Sequence, residues 1–178
     1  MLTFSSPDGS SILVQGKSKT LLFFAKKDGK GKADVLLYGV PDEEPAEGTI
    51  SWPGEYDIDG ISIRGIGQNQ GGNVSYVIEA EDIRCAFIGT PLLEWTDHEQ
   101  ELLGDVAVLA IQGDDPKKVQ KILEEVDPRI VIPLKADGAP FAEILKVCGG
   151  QAVEQVKEFK LKGPSQLPQE GRQVVVFE

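Results

Sequence analysis

Apolar residues in this chain fall first into short blocks and later into helical spacing, and that change marks its organisation. "SILVQG" and "TLLFFA" are short apolar runs separated by "KSK", a pattern that predicts two strands of a hairpin. "ADVLLYGV" predicts a third buried run, and the Asp28-Gly29 pair before it, within "KKDGKGK" (Lys26 to Lys32), reads as a hairpin tip. "PDEEPAEGT" combines two prolines with four acidic residues, which predicts a solvent loop rather than a core strand. After the Trp52-Pro53-Gly54 turn, "ISIRGI" resumes strand alternation. "NVSYVIEAEDIRCAFIGT" then reads as two strands joined at Glu79 to Asp82. Between them, "IRGIGQNQGGN" lacks the Gly-Lys-Ser/Thr ending of a phosphate loop and reads as a flexible loop between strands.

From there helices enter. Thr96 with Glu99 three residues later has the spacing of a capping box and predicts a short helix start. Val106 to Ile111 is continuously apolar, as expected of a strand covered on both faces. "DDPKKVQKILEEVDP" predicts a helix: Asp115 caps it and Pro116 suits the first helical position. Val119, Ile122, Leu123 and Val126 fall on one face, and Asp127-Pro128 ends it. "RIVIPL" completes a β-α-β unit with an expected right-handed crossover. "APFAEILKVCGG" repeats the logic, with Phe141, Ile144, Leu145 and Cys148 on one face and Gly149-Gly150 as the stop. The tail consists of "EFKLKG", a polar Pro-containing link and a closing strand "QVVVFE". Two facing mixed sheets with helices outside would accommodate both halves of this α/β chain, and so would a single mixed sheet, which periodicity alone does not distinguish; the expectation is one domain spanning 1–178 with approximate halves 1–90 and 91–178.

Composition narrows the function classes. The formal charge of −11 on 178 residues, with no offsetting Lys/Arg cluster, makes nucleic acid an unfavourable partner. No apolar run reaches membrane-spanning length and the N-terminus has no basic leader, so the expectation is a cytoplasmic protein without a membrane anchor. Cys85 and Cys148 each sit in an apolar stretch and read as buried small hydrophobes rather than a disulfide. His98 is the single histidine, early in the Thr96-capped helix among polar residues, and reads as a solvated side chain.

The order of elements and several strings resemble the metallo-β-lactamase superfamily, in particular its small branch of zinc-dependent hydrolases of the β-lactamase fold. The strings are "ADVLLYGV", "WPGEYDIDGISIRGI", "NVSYVIEAEDIRCAFIG", "GDVAVLAI", "DPRIVIPL" and "KLKGPSQLPQEGRQVVVFE", which together span nearly the whole chain. The resemblance implies an αββα sandwich with its site along the open edge between the sheets. After the strand at Val35 to Leu37 the family expects His-x-His-x-Asp-His, and the superposition puts Gly39, Pro41, Glu43 and Glu44 at those four places. The family's bridging aspartate falls on Thr90 and its last histidine on Lys135.

A hydrolytic pair of zinc or iron ions needs several neutral imidazoles and a carboxylate to hold the ions and acidify a bound water. This chain has one imidazole, and a lysine at the final position would set a cation where a metal belongs. The expectation is therefore a metal-free pseudoenzyme with no catalytic residue, a hydrolase-like protein that binds a small ligand or a protein partner. Its cleft would lie among Tyr38, Gly39, Pro41, Glu43, Glu44, Trp52, Glu55, Tyr56, Thr90 and Lys135. Lys135 would either pair with Glu43 or Glu44 across that cleft or reach solvent beside Asp137-Gly138. Two alternatives stay open: a metal-dependent hydrolase using Zn or Mn at a divergent carboxylate site, and a structural subunit of a homo-oligomer. The Trp52-Pro53-Gly54 string reads as a corner kept for architecture, with Trp52 and Tyr56 packing over the sheet edge.

Overall fold

A computed structural model of the chain describes residues 1–26 and 32–178. The Asp28-Gly29 pair lies outside the described residues, but the strands on either side of it, Thr20–Phe23 and Val35–Leu37, run parallel with Leu21 beside Val35, so the expected hairpin is corrected to a crossover between parallel neighbours. In chain order the strands are β1 (Leu2–Ser5), β2 (Ile12–Gln15), β3 (Thr20–Phe23), β4 (Val35–Leu37), β5 (Thr49–Ile50), β6 (Gly54–Ile58), β7 (Ile61–Gln68), β8 (Asn73–Ala80), β9 (Ile83–Ile88), β10 (Val108–Gly113), β11 (Ile130–Lys135), β12 (Phe159–Leu161) and β13 (Gln173–Val174). The helices are α1 (Asp97–Leu103), α2 (Pro116–Val126) and α3 (Phe141–Cys148).

These strands form two mixed sheets. One runs β12-β1-β2-β3-β4-β5 and the other β13-β11-β10-β9-β8-β7-β6. The hairpin of "SILVQG" and "TLLFFA" is present as the antiparallel β2–β3 pair, with Val14 opposite Leu21. β10 and β11 run parallel, Val108 beside Ile130, with α2 between them in sequence. This is the two-sheet α/β sandwich that the resemblance implies, and it decides against the single mixed sheet that periodicity left open.

Apolar alternation explains the layering. Phe4, Val14, Leu21, Phe23 and Leu37 of one sheet and Ile63, Tyr76, Ile78, Phe87 and Ile132 of the other share one buried core between the sheets. At its centre the Phe23 and Phe87 rings stack 3.6 Å apart, and Tyr76 meets Phe23 edge-on at 5.9 Å. A second core covers the outer face of the larger sheet. There Val77, Ala86, Leu109, Ile111 and Val131 meet Leu103 of α1, Val119, Ile122 and Leu123 of α2, and Ile144 and Cys148 of α3. Strands with buried residues on both faces cannot alternate, which is why β10 and β11 read as continuous apolar runs.

Helix ends follow the expected chemistry. The Thr96 hydroxyl accepts from the Glu99 N–H while the Glu99 carboxylate accepts from the Thr96 N–H, completing the capping box. The Asp115 carboxylate accepts from the N–H groups of Lys117 and Lys118 at the start of α2. Two expectations need correction. The strand placed at Val106 to Ile111 begins at Val108 and ends at Gly113, because it registers against Ile130–Lys135 rather than against its own apolar limits. Gly65 and Gly67 are not in a loop: they lie inside β7, and only Asn69 to Gly72 turn the chain. A methyl group on Gly65 would stand 2.9 Å from the Trp52 carbonyl oxygen, and one on Gly67 2.7 Å from the Pro53 ring. The glycines are where they are because the Trp52-Pro53 corner lies directly on the strand.

Candidate functional site

At one end of the sandwich the C-terminal ends of β3, β4, β9, β10 and β11 open onto a cleft, where α/β folds commonly place ligands. One part, of about 340 Å³, is lined by Ser10, Lys26, Thr90, Pro91, Gln112 and Asp114 and by 135–137. An adjoining part of about 200 Å³ shares Lys26, Thr90, Pro91 and Gln112 and extends to Phe24, Gly39, Val40 and Gln68.

The β1–β2 loop forms one wall, and its shape is fixed from within. A single Asp8 carboxylate oxygen accepts from the Ser10 N–H at 2.9 Å, the Ser11 N–H at 2.7 Å and the Ser11 hydroxyl at 2.7 Å. Burial works to raise the Asp8 pKa, but these donors outweigh it and hold the carboxyl below its ordinary value. The loop is latched to the opposite wall by the Lys135 N–H, which donates to the Gly9 carbonyl at 2.8 Å. Gln112 crosses the middle: its Nε2 donates to the Ser10 carbonyl at 2.8 Å and its Oε1 accepts from the Thr90 N–H at 3.2 Å. The amide thus ties β10 to both the loop and the end of β9.

Among the described residues, Asp114 Oδ1 is buried in this cleft without a hydrogen-bond partner, while its other oxygen accepts from the Leu92 N–H at 2.9 Å. Ser10 is 7% exposed, and its hydroxyl faces the Asp8 carboxylate, helping to lower its pKa. That carboxylate already serves Ser11 and is held below its ordinary value, which makes it a poor base for activating Ser10 as a nucleophile. The thiols are no better placed. Cys85 and Cys148 are free and buried, with burial pushing Cys148 up to about 11 against the lowering influence of Arg172, and raising Cys85 as well.

The residues singled out in the sequence divide between this cleft and its surroundings. Gly39, Thr90 and Lys135 come together at the cleft. Tyr38 contributes its carbonyl, which accepts from the buried Tyr76 hydroxyl at 2.6 Å. Glu43 and Glu44 lie exposed on the loop between β4 and β5, with Pro41 half-buried at its start. Lys135 does not pair with either glutamate; its Nζ lies 5.7 Å from the centre of the Phe141 ring. Trp52, Glu55 and Tyr56 form the corner on β7: Trp52 Nε1 donates to the Asp42 carbonyl at 2.9 Å, the Tyr56 hydroxyl to the Trp52 carbonyl at 2.8 Å, and Arg64 to Glu55 at 2.5 Å. His98 is exposed on α1. Ser10, Gln112 and Asp114 carried no signal in the sequence, and Lys26 only that of a turn-like lysine run, because each is an ordinary polar residue at the end of a strand or in a turn.

This donor set does not fit a zinc or iron pair. The lining offers hydroxyls, an amide, two ammonium groups and the carboxylates of Asp114 and Asp137, and no imidazole. Among the described residues no group of three or more His, Cys, Asp or Glu side chains is placed to hold a metal ion.

The model of the family described as "Beta-lactamase superfamily domain" matches residues 40–135. The chain belongs to the β-lactamase superfamily. That match runs from the start of the acidic loop to Lys135 and so takes in Thr90, Gln112 and Asp114. Solved structures share the fold over nearly the whole chain. A protein of Thermotoga maritima, assigned as a Zn-dependent hydrolase of the metallo-β-lactamase superfamily, is 21% identical with a TM-score of 0.76, covering 99% of this chain and 98% of that one. A protein of Parabacteroides distasonis assigned as a metal-dependent hydrolase gives 11%, 0.62, 99% and 92% by the same measures. The metallo-β-lactamase fold protein YhfI from Bacillus subtilis gives 6%, 0.61, 98% and 96%. At these identities the likeness is one of fold. Among curated proteins there is no match. No helix among the described residues is long and apolar enough to cross a membrane.

Proposed function

We propose that this superfamily member is a non-catalytic binding protein: a metallo-β-lactamase-like sandwich whose cleft takes a small polar ligand in place of the metal ions. One observation carries the reading. Thr90 and Lys135, which the family motif sets at the bridging aspartate and the last histidine, both line the cleft, so hydroxyl and ammonium groups stand where ligating groups would be required. An ammonium repels a divalent cation, and the nearby carboxylates, Asp114 and Asp137, are too few to replace the imidazoles. The protein works in this reading without metal and without turnover.

The test is hydrolysis of ester, lactone and phosphodiester substrates by protein loaded with Zn²⁺ or Mn²⁺. The expected result is no turnover above that of a Thr90→Ala/Lys135→Ala double variant. Metal-dependent turnover that disappears in Glu43→Ala/Glu44→Ala would establish the divergent carboxylate hydrolase instead.

A further inference from the structure

Resting on that binding reading, we infer that the cleft is a site for a free α-amino acid, a small molecule carrying a carboxylate and an ammonium group. The charges of the lining point to such a ligand. Among the described lining residues, Lys26 and Lys135 supply positive groups and Asp114 and Asp137 negative ones, so both signs face the same space. A lone metal cation would meet the lysines, and a lone phosphate would meet the aspartates. A molecule that presents both signs satisfies both pairs, with little net charge to desolvate.

An unpartnered atom supplies the second, independent observation. Asp114 Oδ1 is a buried acceptor with no donor among the described residues. Buried polar groups are ordinarily paired, and leaving one unpaired costs free energy that a bound ligand recovers. An ammonium group has three N–H donors, one of which can serve Asp114. A carboxylate has acceptors for both lysines at once. Lys135 is available for this role, since it forms no ion pair among the described residues and its stem runs beside Gly9 on the cleft wall. Lys26 is held only loosely, 3.9 Å from Asp8. The cleft, at about 340 Å³, lies at the small end of ligand pockets and suits a molecule of amino-acid size. The charge-bearing half would lie among Ser10, Asp114 and Lys135. The side chain would extend past Gln112 toward the adjoining space lined by Phe24 and Val40.

The experiment is an amide-resolved NMR titration of the full chain with a panel of the common L-amino acids, each compared with its N-acetyl and methyl-ester derivatives, and with acetate and orthophosphate as controls. At least one free amino acid is expected to shift the Thr90 and Gln112 signals saturably, and either derivative to bind at least about tenfold more weakly, the loss of one charge-assisted hydrogen bond. Asp114→Asn should abolish the advantage of the free amino group over its N-acetyl form, and Lys135→Met the advantage of the free carboxylate over its ester. Lys135 is exposed and the asparagine keeps the shape of Asp114, so retention of the remaining amide spectrum serves as the folding control. Derivatives that bind as well as their parents would overturn the inference, as would a panel in which no amino acid binds. Orthophosphate binding at Lys135 without amino acid binding would overturn it while leaving the binding reading in place. Metal-dependent turnover would instead remove the binding reading itself.

Discussion

The Trp52 corner and the cleft are both polar, both near the edge of the sandwich, and built on opposite terms. At the corner the ring N–H of Trp52, the hydroxyl of Tyr56 and the carboxylate of Glu55 each meet a partner within the chain, and the backbone approaches β7 so closely that only glycine fits at Gly65. In the cleft, Asp114 Oδ1 is buried with no donor among the described residues. A region whose polar groups are all spent on itself serves architecture. One that keeps unspent groups next to open space has bonding capacity left for something else. The string that stands out most in the sequence thus spends its polar groups within the chain, while the residues that line the cleft are inconspicuous.

That contrast predicts effects of different size and opposite sign. The largest belongs to the corner: Gly65→Ala pushes a methyl group against the Trp52 carbonyl and should lower stability by about 1–3 kcal/mol, read from the urea midpoint. An unchanged midpoint would mean the corner is looser than it looks. Trp52→Ala removes a ring that is 48% exposed along with its bond to Asp42, and should cost about 1 kcal/mol while leaving cleft binding intact. Asp114→Asn should act in the other direction. It keeps the acceptor for the Leu92 N–H and removes a buried anionic oxygen that has no donor, so it is expected to raise the stability of the free protein by up to about 1 kcal/mol and to weaken ligand binding. If the variant unfolds more easily, Asp114 already has a second partner and the cleft is not open.

The smallest effect concerns acid. The folded Asp8 carboxyl lies below its ordinary value of 3.8, so its contribution to stability is complete above that pH and is lost as pH falls through the lower folded value. Asp8→Asn should flatten the acid limb of the stability curve by a small margin, with no change at neutral pH slope. An acid limb that superimposes on that of the unaltered protein would show that the β1–β2 loop is held by other bonds.

Most of the fold was legible because periodicity reports burial. α2 declared itself through Asp115, Pro116 and an apolar stripe, and β10 and β11 through runs with no polar face. The end of β10 was not legible, since strand register depends on a partner distant in sequence. Nor were the glycines of β7, which answer to a corner thirteen or so residues away in the chain rather than to local turn propensity. The site was half legible. The superfamily motif led to Gly39, Thr90 and Lys135, which the fold brings to one cleft. It also led to Glu43 and Glu44, which the loop after β4 carries into solvent. Gln112 and Asp114 lie just past the apolar run of β10, and only the assembled strand ends give them Ser10 and Thr90 as neighbours.

The central claim is that ammonium and hydroxyl groups have replaced metal ligands in this superfamily member. It is tested most directly by the metal content of protein purified without chelator and then equilibrated with Zn²⁺, Mn²⁺ and Fe²⁺. The account predicts sub-stoichiometric metal under all three conditions, unchanged by Thr90→Ala or Lys135→Ala. A full equivalent of tightly held ion, lost when cleft residues are replaced, would contradict it.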